Sequence, residues 1–411
     1  MKVAFLVNDL QLSGGVGVVV AHARQLHERH GFDVTLVLAR EQDDPHWDHE
    51  PLHGLSVVSL DEARRRHYDV AVSTWWETAF ALFELRAERY ASFVQSLEDR
   101  FYRPGEPERL GARLVLDLPV SFVTEARWIA DTLQDLRPEA PCFLVRNGID
   151  KSIFASPAKL VPHTEGPLEI LVEGYAAAWF KGVNEAIAAV GQMDEPHRLT
   201  VVTPYRDGLE ADGAERVLGP ITQRELAGLY AQTDVLVKLS RVEGMYGPPL
   251  EAFHMGATCV TTEVTGHEEY VEHGVNALVC DWDDPRGTSR LLDLLARDRV
   301  LLHRLRLGAL ETARAWPTWE QAGQFMAGAL RAIRRDPPPE ANAALGRLLA
   351  DVRAGIEEQR HIAADRNLLA WKVRRYERLP GLRHALGLKR RPWGRVVLRL
   401  GRPVKRKLLG S

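Results

Sequence analysis

Two kinds of hydrophobic pattern alternate along most of this 411-residue chain. Short apolar runs of strand length are followed by stretches in which apolar residues recur every three or four positions, the spacing of an amphipathic helix. In the first part of the chain the predicted strands are Val3–Val7, Val34–Leu38, Leu55–Leu60, Val70–Ser73, Ser92–Val94, Ser121–Thr124 and Phe143–Val145. The predicted helices between them include Val16–His30, Thr78–Glu88 and Arg127–Leu136. This rhythm predicts α/β structure with a mostly parallel sheet covered on both faces.

The alternation restarts after a polar, proline-containing stretch, residues 155–167, which we interpret as a linker. The predicted strands there are Leu168–Val172, Leu199–Thr203, Val235–Leu239 and Thr258–Thr262. The predicted helices are Val183–Val190, Gln223–Ala231, Pro249–Met255, Arg286–Arg297, Val300–Ala315 and Trp319–Ile333. We therefore expect two Rossmann-like domains, residues 1–154 and 168–335. Because ligands of such sheets bind at the carboxyl ends of the strands, the site should face the cleft between the domains.

The remaining residues, 336–411, are predicted to form a helical and basic tail, with a helix over Ala341–Asn367 after the break at Pro337–Pro339. Residues 371–411 contain fourteen Lys or Arg and one acid, whereas the first 370 residues contain 39 basic and 55 acidic residues. Basic residues interleaved with Leu and Trp favour binding to an anionic membrane surface. Nucleic acid would use the same charges, but the acidic body makes us expect no nucleic-acid partner. A purely solvated tail is the alternative.

The spacing of the cysteines and the length of the apolar runs indicate the cellular compartment. The three cysteines have no paired spacing, so neither a disulfide framework nor a thiolate zinc site is indicated, and a reducing compartment fits. No apolar run approaches the roughly twenty residues that cross a bilayer, and the first apolar run is too short for a signal peptide. We expect a cytoplasmic protein, peripheral on the inner face of the cell membrane.

The chemically most informative segment is Ser240–Gly256, in which Glu243 and Glu251 are separated by seven residues. The Gly/Pro-rich turn between them opens a helix, whose free amides and positive dipole end suit a diphosphate. Gly244 and Gly247 would let a ligand approach the main chain closely. Carboxylates can accept paired hydrogen bonds from the hydroxyls of a ribose or a sugar. A loop with two solvated acids and an ordinary helix start is the alternative interpretation.

This segment resembles the retaining family 4 glycosyltransferases of the GT-B architecture, whose signature is a Glu, seven residues and a second Glu. The match continues through the ranges 256–262, 265–271 and 273–279 and includes Arg146–Asp150 with Phe154 upstream. The resemblance covers roughly residues 1–330 and is nearest to the rhamnosyltransferase-like branch of bacterial surface-glycan synthesis. It implies transfer of a hexose or deoxyhexose from a nucleotide diphosphate sugar to a glycan or lipid-linked acceptor, with retention. It implies no metal and no cofactor besides the sugar-nucleotide co-substrate.

The resemblance also implies roles for individual residues. Glu251 would hold the donor ribose and Glu243 the transferred sugar, while Lys181 would neutralise the leaving diphosphate. The turn facing the diphosphate would consist of Gly244, Met245, Tyr246 and Gly247. The family usually carries an arginine shortly before the lysine, and residues 174–178 contain none. Arg241 is a possible substitute.

First-domain roles follow from the same resemblance. Gly14 and Gly15, in the glycine-rich segment after the first strand, would approach the donor phosphates and the acceptor. Gln95 and Glu98 belong to a segment similar to the Gln-x-x-Glu-x-x-Phe pattern of the rhamnosyltransferase-like branch. Trp75 follows the fourth predicted strand and is a candidate for the acceptor pocket, although packing is its alternative role.

Three other interpretations were weighed. Asp281-Trp282-Asp283 spells the metal-binding pattern of a different glycosyltransferase architecture, but its position before Asp284-Pro285 indicates a surface turn with a helix cap, so we expect no metal site. An NAD-dependent oxidoreductase would need a third glycine after Gly15 and Gly17 and an acid after the second strand, and both are missing. A non-catalytic sugar-nucleotide-binding partner of a membrane glycan-assembly complex stays open, because the expected arginine is absent.

Overall fold

A computed structural model describes residues 1–11, 13–40, 52, 54–335 and 343–377. The first predicted domain contains a seven-stranded parallel sheet, with strand order β3-β2-β1-β4-β5-β6-β7. Its strands are Lys2–Val7 (β1), Asp33–Leu38 (β2), Ser56–Ser59 (β3), His67–Ser73 (β4), Arg86–Val94 (β5), Ser121–Thr124 (β6) and Cys142–Leu144 (β7). Its helices are Gly14–His30 (α1), Leu60–Ala63 (α2), Trp76–Ala79 (α3), Pro107–Leu114 (α4) and Arg127–Leu136 (α5). The strands are apolar because helices cover both faces of the sheet; in β1, five of six residues are buried.

The second domain contains a six-stranded parallel sheet of the same type, with order β10-β9-β8-β11-β12-β13. Its strands are Leu168–Glu173 (β8), His197–Val202 (β9), Arg216–Leu218 (β10), Val235–Lys238 (β11), Thr258–Thr262 (β12) and Ala277–Cys280 (β13). The helices that follow β8 are Val183–Val190 (α6), Gln223–Tyr230 (α7), Gly247–His254 (α8), Pro285–Arg297 (α9), Arg299–Ala315 (α10) and Trp319–Arg335 (α11). The direction of strand addition reverses between β8 and β11, so a crevice opens at their carboxyl ends. The prediction of two Rossmann-like parallel-sheet domains is confirmed.

One local prediction was wrong. The stretch 78–88 was expected to be helical, but α3 ends at Ala79, a 3-10 turn follows at Leu82–Glu84, and β5 begins at Arg86. Residues 79–83 form a continuous apolar run that is compatible with a buried helix, yet the following residues pair with β4, from Arg86 opposite His67 onward. Pairing between strands distant in sequence overrides the local helical pattern here.

Helix α11 packs differently from the expectation that it would complete the second domain. Its buried residues Met326, Ala327, Leu330 and Ile333 belong to the core cluster of the first sheet. Gly323 lies against Gln25 of α1, so closely that a Cβ there would come within 2.4 Å of the Gln25 side chain. The chain therefore returns to the first domain after the second sheet is complete.

The two chain segments that connect the domains lie side by side. The indole Nε1 of Trp316 donates to the carbonyl oxygen of Asn147 (2.9 Å), and the amide of Ile149 donates to the carbonyl oxygen of Pro317 (3.1 Å). Ile149 and Thr318 form an isolated parallel bridge. We continue to propose residues 155–167 as the linker. The contact between the two connections lies just before it, at residues 147–149, and in the return segment at residues 316–318.

The helical C-terminal region is represented by α12 (Ala343–Glu377), which begins near the predicted start and extends ten residues beyond the predicted end at Asn367. Within the described ranges, no helix is both long enough and apolar enough to cross a membrane. Most of the predicted membrane-binding segment, from residue 378 onward, lies outside the described residues.

Candidate functional site

The candidate site lies at the carboxyl ends of β8 and β11, where the order of the second sheet reverses. Lys181 is carried there by a 3-10 turn, Trp179–Lys181, that ends at Gly182. Gly182 has φ +61°, and a Cβ at this position would come within 2.0 Å of the Leu239 carbonyl oxygen. Only glycine fits such an approach. The turn therefore packs directly on the segment that follows β11 and brings Lys181 to the crevice.

Lys181 and Glu243, predicted as the catalytic pair, are in direct contact. The Lys181 Nζ lies 2.9 Å from each carboxylate oxygen of Glu243. Burial alone would raise the pKa of Glu243, but the ammonium groups of Lys181 and Lys238 outweigh burial and hold that pKa below its usual range. Glu243 is therefore ionised at neutral pH and forms an ion pair with the Lys181 ammonium.

A second buried ion pair, which the sequence analysis missed, adjoins the first. Lys238 ends β11 and Glu173 ends β8, and their Nζ and Oε1 atoms are 2.7 Å apart. Only 3% of the Lys238 side chain is exposed. Burial lowers its pKa, but Glu173, Glu243 and Glu251 together raise the pKa above its usual range, so the lysine is charged. The sequence feature that could have indicated this pair is a lysine within the otherwise apolar, strand-length run 235–239.

Glu251, the second acid of the predicted pair, lies in α8 and is partly buried. Within the described part of the chain, no group donates a hydrogen bond to its carboxylate. Burial raises its pKa to about 8; the neighbouring Glu173 carboxylate adds to this effect and Lys238 opposes it. Without a ligand, Glu251 is therefore mostly protonated at neutral pH, unlike Glu243.

The turn between the two acids is docked on the first domain. The Met245 amide donates to Glu125 Oε1 (3.0 Å), and the Trp128 indole Nε1 donates to the Gly244 carbonyl oxygen (3.0 Å). A Cβ at Gly244 would lie 1.7 Å from the Gln95 carbonyl oxygen, so the two main chains are nearly in contact. Gln95, predicted for the acceptor side, therefore meets the turn through its backbone.

Glu125 is the main first-domain residue that the sequence analysis missed. It is buried after β6, and its second oxygen accepts a hydrogen bond from Asn147 Nδ2 (2.7 Å). Burial raises its pKa to about 7; the hydrogen bonds from Met245 and Asn147 lower it, and the Glu243 charge raises it. The signal was an acid directly after a buried strand, at the edge where ligands of parallel sheets bind.

The structure corrects two of the predicted donor contacts. The Tyr246 side chain is fully buried in the core of the second domain, where its hydroxyl donates to the Lys238 carbonyl oxygen (2.9 Å). Its side chain therefore cannot line the crevice, and only its backbone remains available. Arg241 is paired with Asp283 and lies 3.9 Å from Glu185, so its guanidinium is engaged at the surface.

The start of α8 and the turn before α9 are the other segments of the second domain that the sequence singled out. Gly247 is the first residue of α8, and nothing lies within 4 Å of a Cβ placed there, so the helix start is open. Asp281–Asp283 form an exposed turn, and Asp284 accepts from the Gly287 amide as the cap of α9. No cluster of metal-ligating side chains occurs among the described residues.

The first-domain candidates form two groups. Gly14 and Gly15 lie in the first turn of α1 rather than in a loop, and the side chain of Gln95 lies 3.4 Å from a Cβ position on Gly15. Glu98 is buried, and its Oε2 accepts the amide of Trp76 at the start of α3 (2.6 Å), which indicates a structural role. Burial raises the Glu98 pKa well above its usual value.

Trp75 belongs to an aromatic row that runs from the first domain to the site. It stacks on Phe101 at 5.9 Å, and Phe101 contacts Phe180 at 4.9 Å between ring centroids. Phe180 precedes Lys181, whose Nζ lies 5.5 Å from the Phe180 ring. The row therefore places Trp75 on the same side of the molecule as the predicted catalytic pair.

Comparison with known proteins gives this geometry a context. The family profile described as "Glycosyl transferases group 1" matches residues 168–298. Glycogen synthase of Mycobacterium tuberculosis (strain CDC 1551 / Oshkosh) is 27% identical over 204 residues, which are 47% of this chain and 49% of that protein. The chain thus aligns with about half the length of this curated relative.

Solved structures share the fold at low sequence identity. Sucrose-phosphate synthase from Thermosynechococcus elongatus has a TM-score of 0.65 at 15% identity, over 81% of this chain and 98% of its own. Anabaena HepE, solved with UDP and glucose, has a TM-score of 0.64 at 16% identity, over 81% and 100%. Residues 168–298, which contain both acids and Lys181, therefore match the profile of the group 1 glycosyltransferases, and the chain shares its fold with these solved structures.

Proposed function

We propose that this protein is a retaining glycosyltransferase that moves a hexosyl or deoxyhexosyl unit from a nucleotide diphosphate sugar to a glycan or lipid-linked acceptor. The observation that carries the proposal is the contact between Lys181 and Glu243 at the switch point of the second sheet, beside the helix that bears Glu251. The domain type and the solved complex of HepE with UDP and glucose support a sugar nucleotide as the donor.

In this proposal Lys181 acts on the leaving group. As the bond between the anomeric carbon and the diphosphate oxygen breaks, its electron pair stays on that oxygen, and the ammonium stabilises the growing negative charge. The acceptor hydroxyl oxygen forms the new bond to the anomeric carbon, and its proton passes to the leaving diphosphate. The proposal assigns this neutralisation to Lys181 rather than to a metal ion. The Lys181 ammonium contacts both carboxylate oxygens of Glu243. In this proposal, donor binding replaces one of these contacts with a contact between Lys181 and a phosphate oxygen.

In this proposal the two acids bind different parts of the donor. Glu243 is ionised and would accept hydrogen bonds from hydroxyls of the transferred sugar, while Glu251 would accept both hydroxyls of the donor ribose. The open helix start at Gly247 would face the diphosphate. The Met245 amide and Gly244, which were predicted to do the same, are engaged by the first domain instead. Gly14, Gly15, Gln95 and Trp75 would border the acceptor side of the cleft. Retention at the anomeric carbon is proposed from the family resemblance.

The experiment is a donor screen followed by kinetics of two variants. We expect one of UDP, ADP or GDP to raise the melting temperature of the protein, because a ligand that binds only the folded state stabilises it. With the matching sugar nucleotide at pH 9, where Glu251 is ionised, Glu251→Gln should raise KM by about tenfold or more, because the variant loses a charged hydrogen-bond acceptor. Lys181→Ala should lower kcat by roughly 100-fold with a smaller effect on KM.

The outcomes separate the functional alternatives. Unchanged kinetics in both variants would show that the site lies elsewhere. Nucleotide binding without any turnover, across sugar nucleotides and glycan acceptors, would favour the non-catalytic binding partner.

We also propose that residues 371–411 attach the protein to an anionic membrane surface at the cytoplasmic face of the cell membrane. The fourteen basic residues among Leu and Trp carry this proposal. Sedimentation with vesicles containing phosphatidylserine should pellet the full chain at low salt and leave a variant ending at residue 370 in the supernatant. Equal sedimentation of both proteins would contradict the proposal.

A further inference from the structure

A buried ion pair lies at the end of β11, the strand against which the Glu251 helix α8 packs, and has no part in the function proposed above. Val172 of β8 lies opposite Val237 of β11 in the sheet, so the residues that follow, Glu173 and Lys238, lie side by side at the strand ends. Their contact of 2.7 Å is almost completely enclosed, with 3% of the Lys238 and 15% of the Glu173 side chain exposed. The pair lies at the switch point, where ligands of such sheets bind.

Stability alone does not account for such a pair. Desolvating two charges costs about as much as their attraction returns, and well-packed apolar residues in the same place are often neutral or stabilising. Lys238 also lies close to the other site residues: its Nζ is 3.9 Å from a Cβ position on Gly174, and Lys181 Cβ is 3.8 Å from the same position. The pair therefore lies at the same strand ends as Lys181, with its two charges enclosed by the protein.

We propose that Lys238 and Glu173 are positioning residues that act through Glu251: Lys238 favours the ionised carboxylate that accepts the donor ribose, Glu173 opposes it, and together they set the pH range of donor binding. This inference rests on the proposed function, specifically on Glu251 as the ribose acceptor. It goes beyond that function because neither member of the pair needs to touch the donor.

The surroundings of Glu251 leave these two residues as its main electrostatic partners. Beyond burial, the pKa of Glu251 responds to Glu173, which raises it, and to Lys238, which lowers it. Tyr230 of α7 also faces Glu251, but the pKa of its buried phenol is well above the usual value and the group is neutral. Arg306 of α10, which packs on α8, is engaged by Asp234 and by the Gly256 carbonyl oxygen. Glu243 is held by Lys181.

Because the two partners act in opposite directions, separate substitutions should have opposite effects. The experiment measures the Kd of the tightest binder among UDP, ADP and GDP by calorimetry from pH 7 to 9.5, where the phosphates are almost fully ionised. We expect wild-type affinity to rise with pH through a midpoint of about 8. Lys238→Met should move this midpoint upward and Glu173→Gln should move it downward. Each unit of displacement changes the affinity below the midpoint by about tenfold.

Two further variants make the result decisive. Glu251→Gln should bind weakly and show no midpoint, which identifies Glu251 as the titrating group. The double variant Lys238→Met/Glu173→Gln removes the buried pair as a unit and should fold even where Lys238→Met alone does not. Its midpoint should fall above that of Glu173→Gln, because the favourable ammonium is also gone.

The failures can be told apart. Absence of nucleotide binding, or a Glu251→Gln variant that behaves like wild type, would overturn the proposed function and the inference with it. A wild-type midpoint that Glu251→Gln abolishes, but that stays unmoved in Glu173→Gln and in the double variant, would overturn the inference alone. A purely structural role of the pair would lower the melting temperature without displacing the midpoint.

Discussion

At the scale of single residues, the site shows how burial and partners give one side-chain type different charge states. Glu243 and Glu251 are only eight positions apart in sequence, and burial raises the pKa of both. The ammonium groups of Lys181 and Lys238 outweigh the effect of burial on the Glu243 pKa, so Glu243 stays ionised. The strongest charged neighbour of Glu251 is another carboxylate, Glu173, and the Glu251 pKa is about 8. The two acids can therefore serve different hydroxyl groups although the sequence pattern treats them alike.

Glu125 should make the stability of the protein depend on pH. Its pKa is about 7 in the folded chain and near 4.5 when exposed, so its stabilising, protonated form is fully present below pH 4.5 and is lost as pH rises through 7. The loss amounts to on the order of 3 kcal/mol. Glu125→Gln stays neutral, so its melting temperature should match wild type near pH 5 and exceed it by roughly 5 °C at pH 8.

The control for this prediction is an exposed glutamate. Glu28→Gln removes a surface carboxylate paired with Arg24 and should change the melting temperature little, and by the same amount at both pH values. A constant difference between Glu125→Gln and wild type at pH 5 and pH 8 would show that Glu125 does not titrate on unfolding.

At the scale of elements, the turn between β11 and α8 depends on close backbone contact. An Ala at Gly244 would place its Cβ 1.7 Å from the Gln95 carbonyl oxygen, so the turn would have to leave the first domain. We expect Gly244→Ala to lower kcat/KM by about 100-fold, because an error of about 1 Å in position can cost this much. Hydrogen exchange should show loss of protection at the Met245 amide.

Gly228→Ala is the matched control, because nothing lies within 4 Å of a Cβ at this exposed position of α7. Alanine is favoured over glycine in a helix by up to about 1 kcal/mol, so this variant should keep full activity and melt slightly higher. Equal activity of Gly244→Ala and Gly228→Ala would show that the docked position of the turn is not needed for turnover.

Most elements were predictable because local pattern and tertiary environment agree. The buried strands are continuous apolar runs, and α8 starts at Gly247, directly before two prolines. The prediction failed at residues 78–88, where a helical pattern was overridden by pairing with β4, and at α11, whose amphipathic pattern reveals a buried face but not the sheet that covers it.

The candidate site was predictable in part for the same reason. Two of the predicted residues, Glu243 and Glu251, lie in one short segment, and Lys181 follows a predicted strand. Both arrangements are local sequence patterns with a known chemical use. Lys238, Glu173 and Glu125 matter because strands from distant parts of the chain end side by side, and this adjacency is fixed only by sheet order. The buried side chain of Tyr246 follows from core packing that the sequence pattern does not specify.

At the scale of the whole molecule, the two segments between the domains approach each other at Gly148. A Cβ there would come within 2.2 Å of the Trp319 amide nitrogen, so Gly148→Ala must separate the two segments. We expect this variant to keep both sheets, as seen by circular dichroism, and to lose about tenfold or more in kcat/KM through misplacement of the domains. Small-angle scattering should show a larger radius of gyration than in Gly228→Ala.

Either of two results would contradict this prediction: a Gly148→Ala variant with wild-type kinetics and scattering, or one that has lost its secondary structure. The first would mean that the contact between the two connections is adaptable. The second would mean that it is required for folding rather than for the arrangement of the domains.

The return of α11 to the first domain limits how the two halves of the catalytic region can move. A single tether would let the domains swing and twist in any direction, but two connections joined through the hydrogen bond between Asn147 and Trp316 should restrict that motion. We expect any opening to break the hydrogen bonds of the turn to the first domain, from Met245 to Glu125 and from Trp128 to Gly244, in one step. The chain thus restricts the path along which the two domains can separate, not only the position in which they meet.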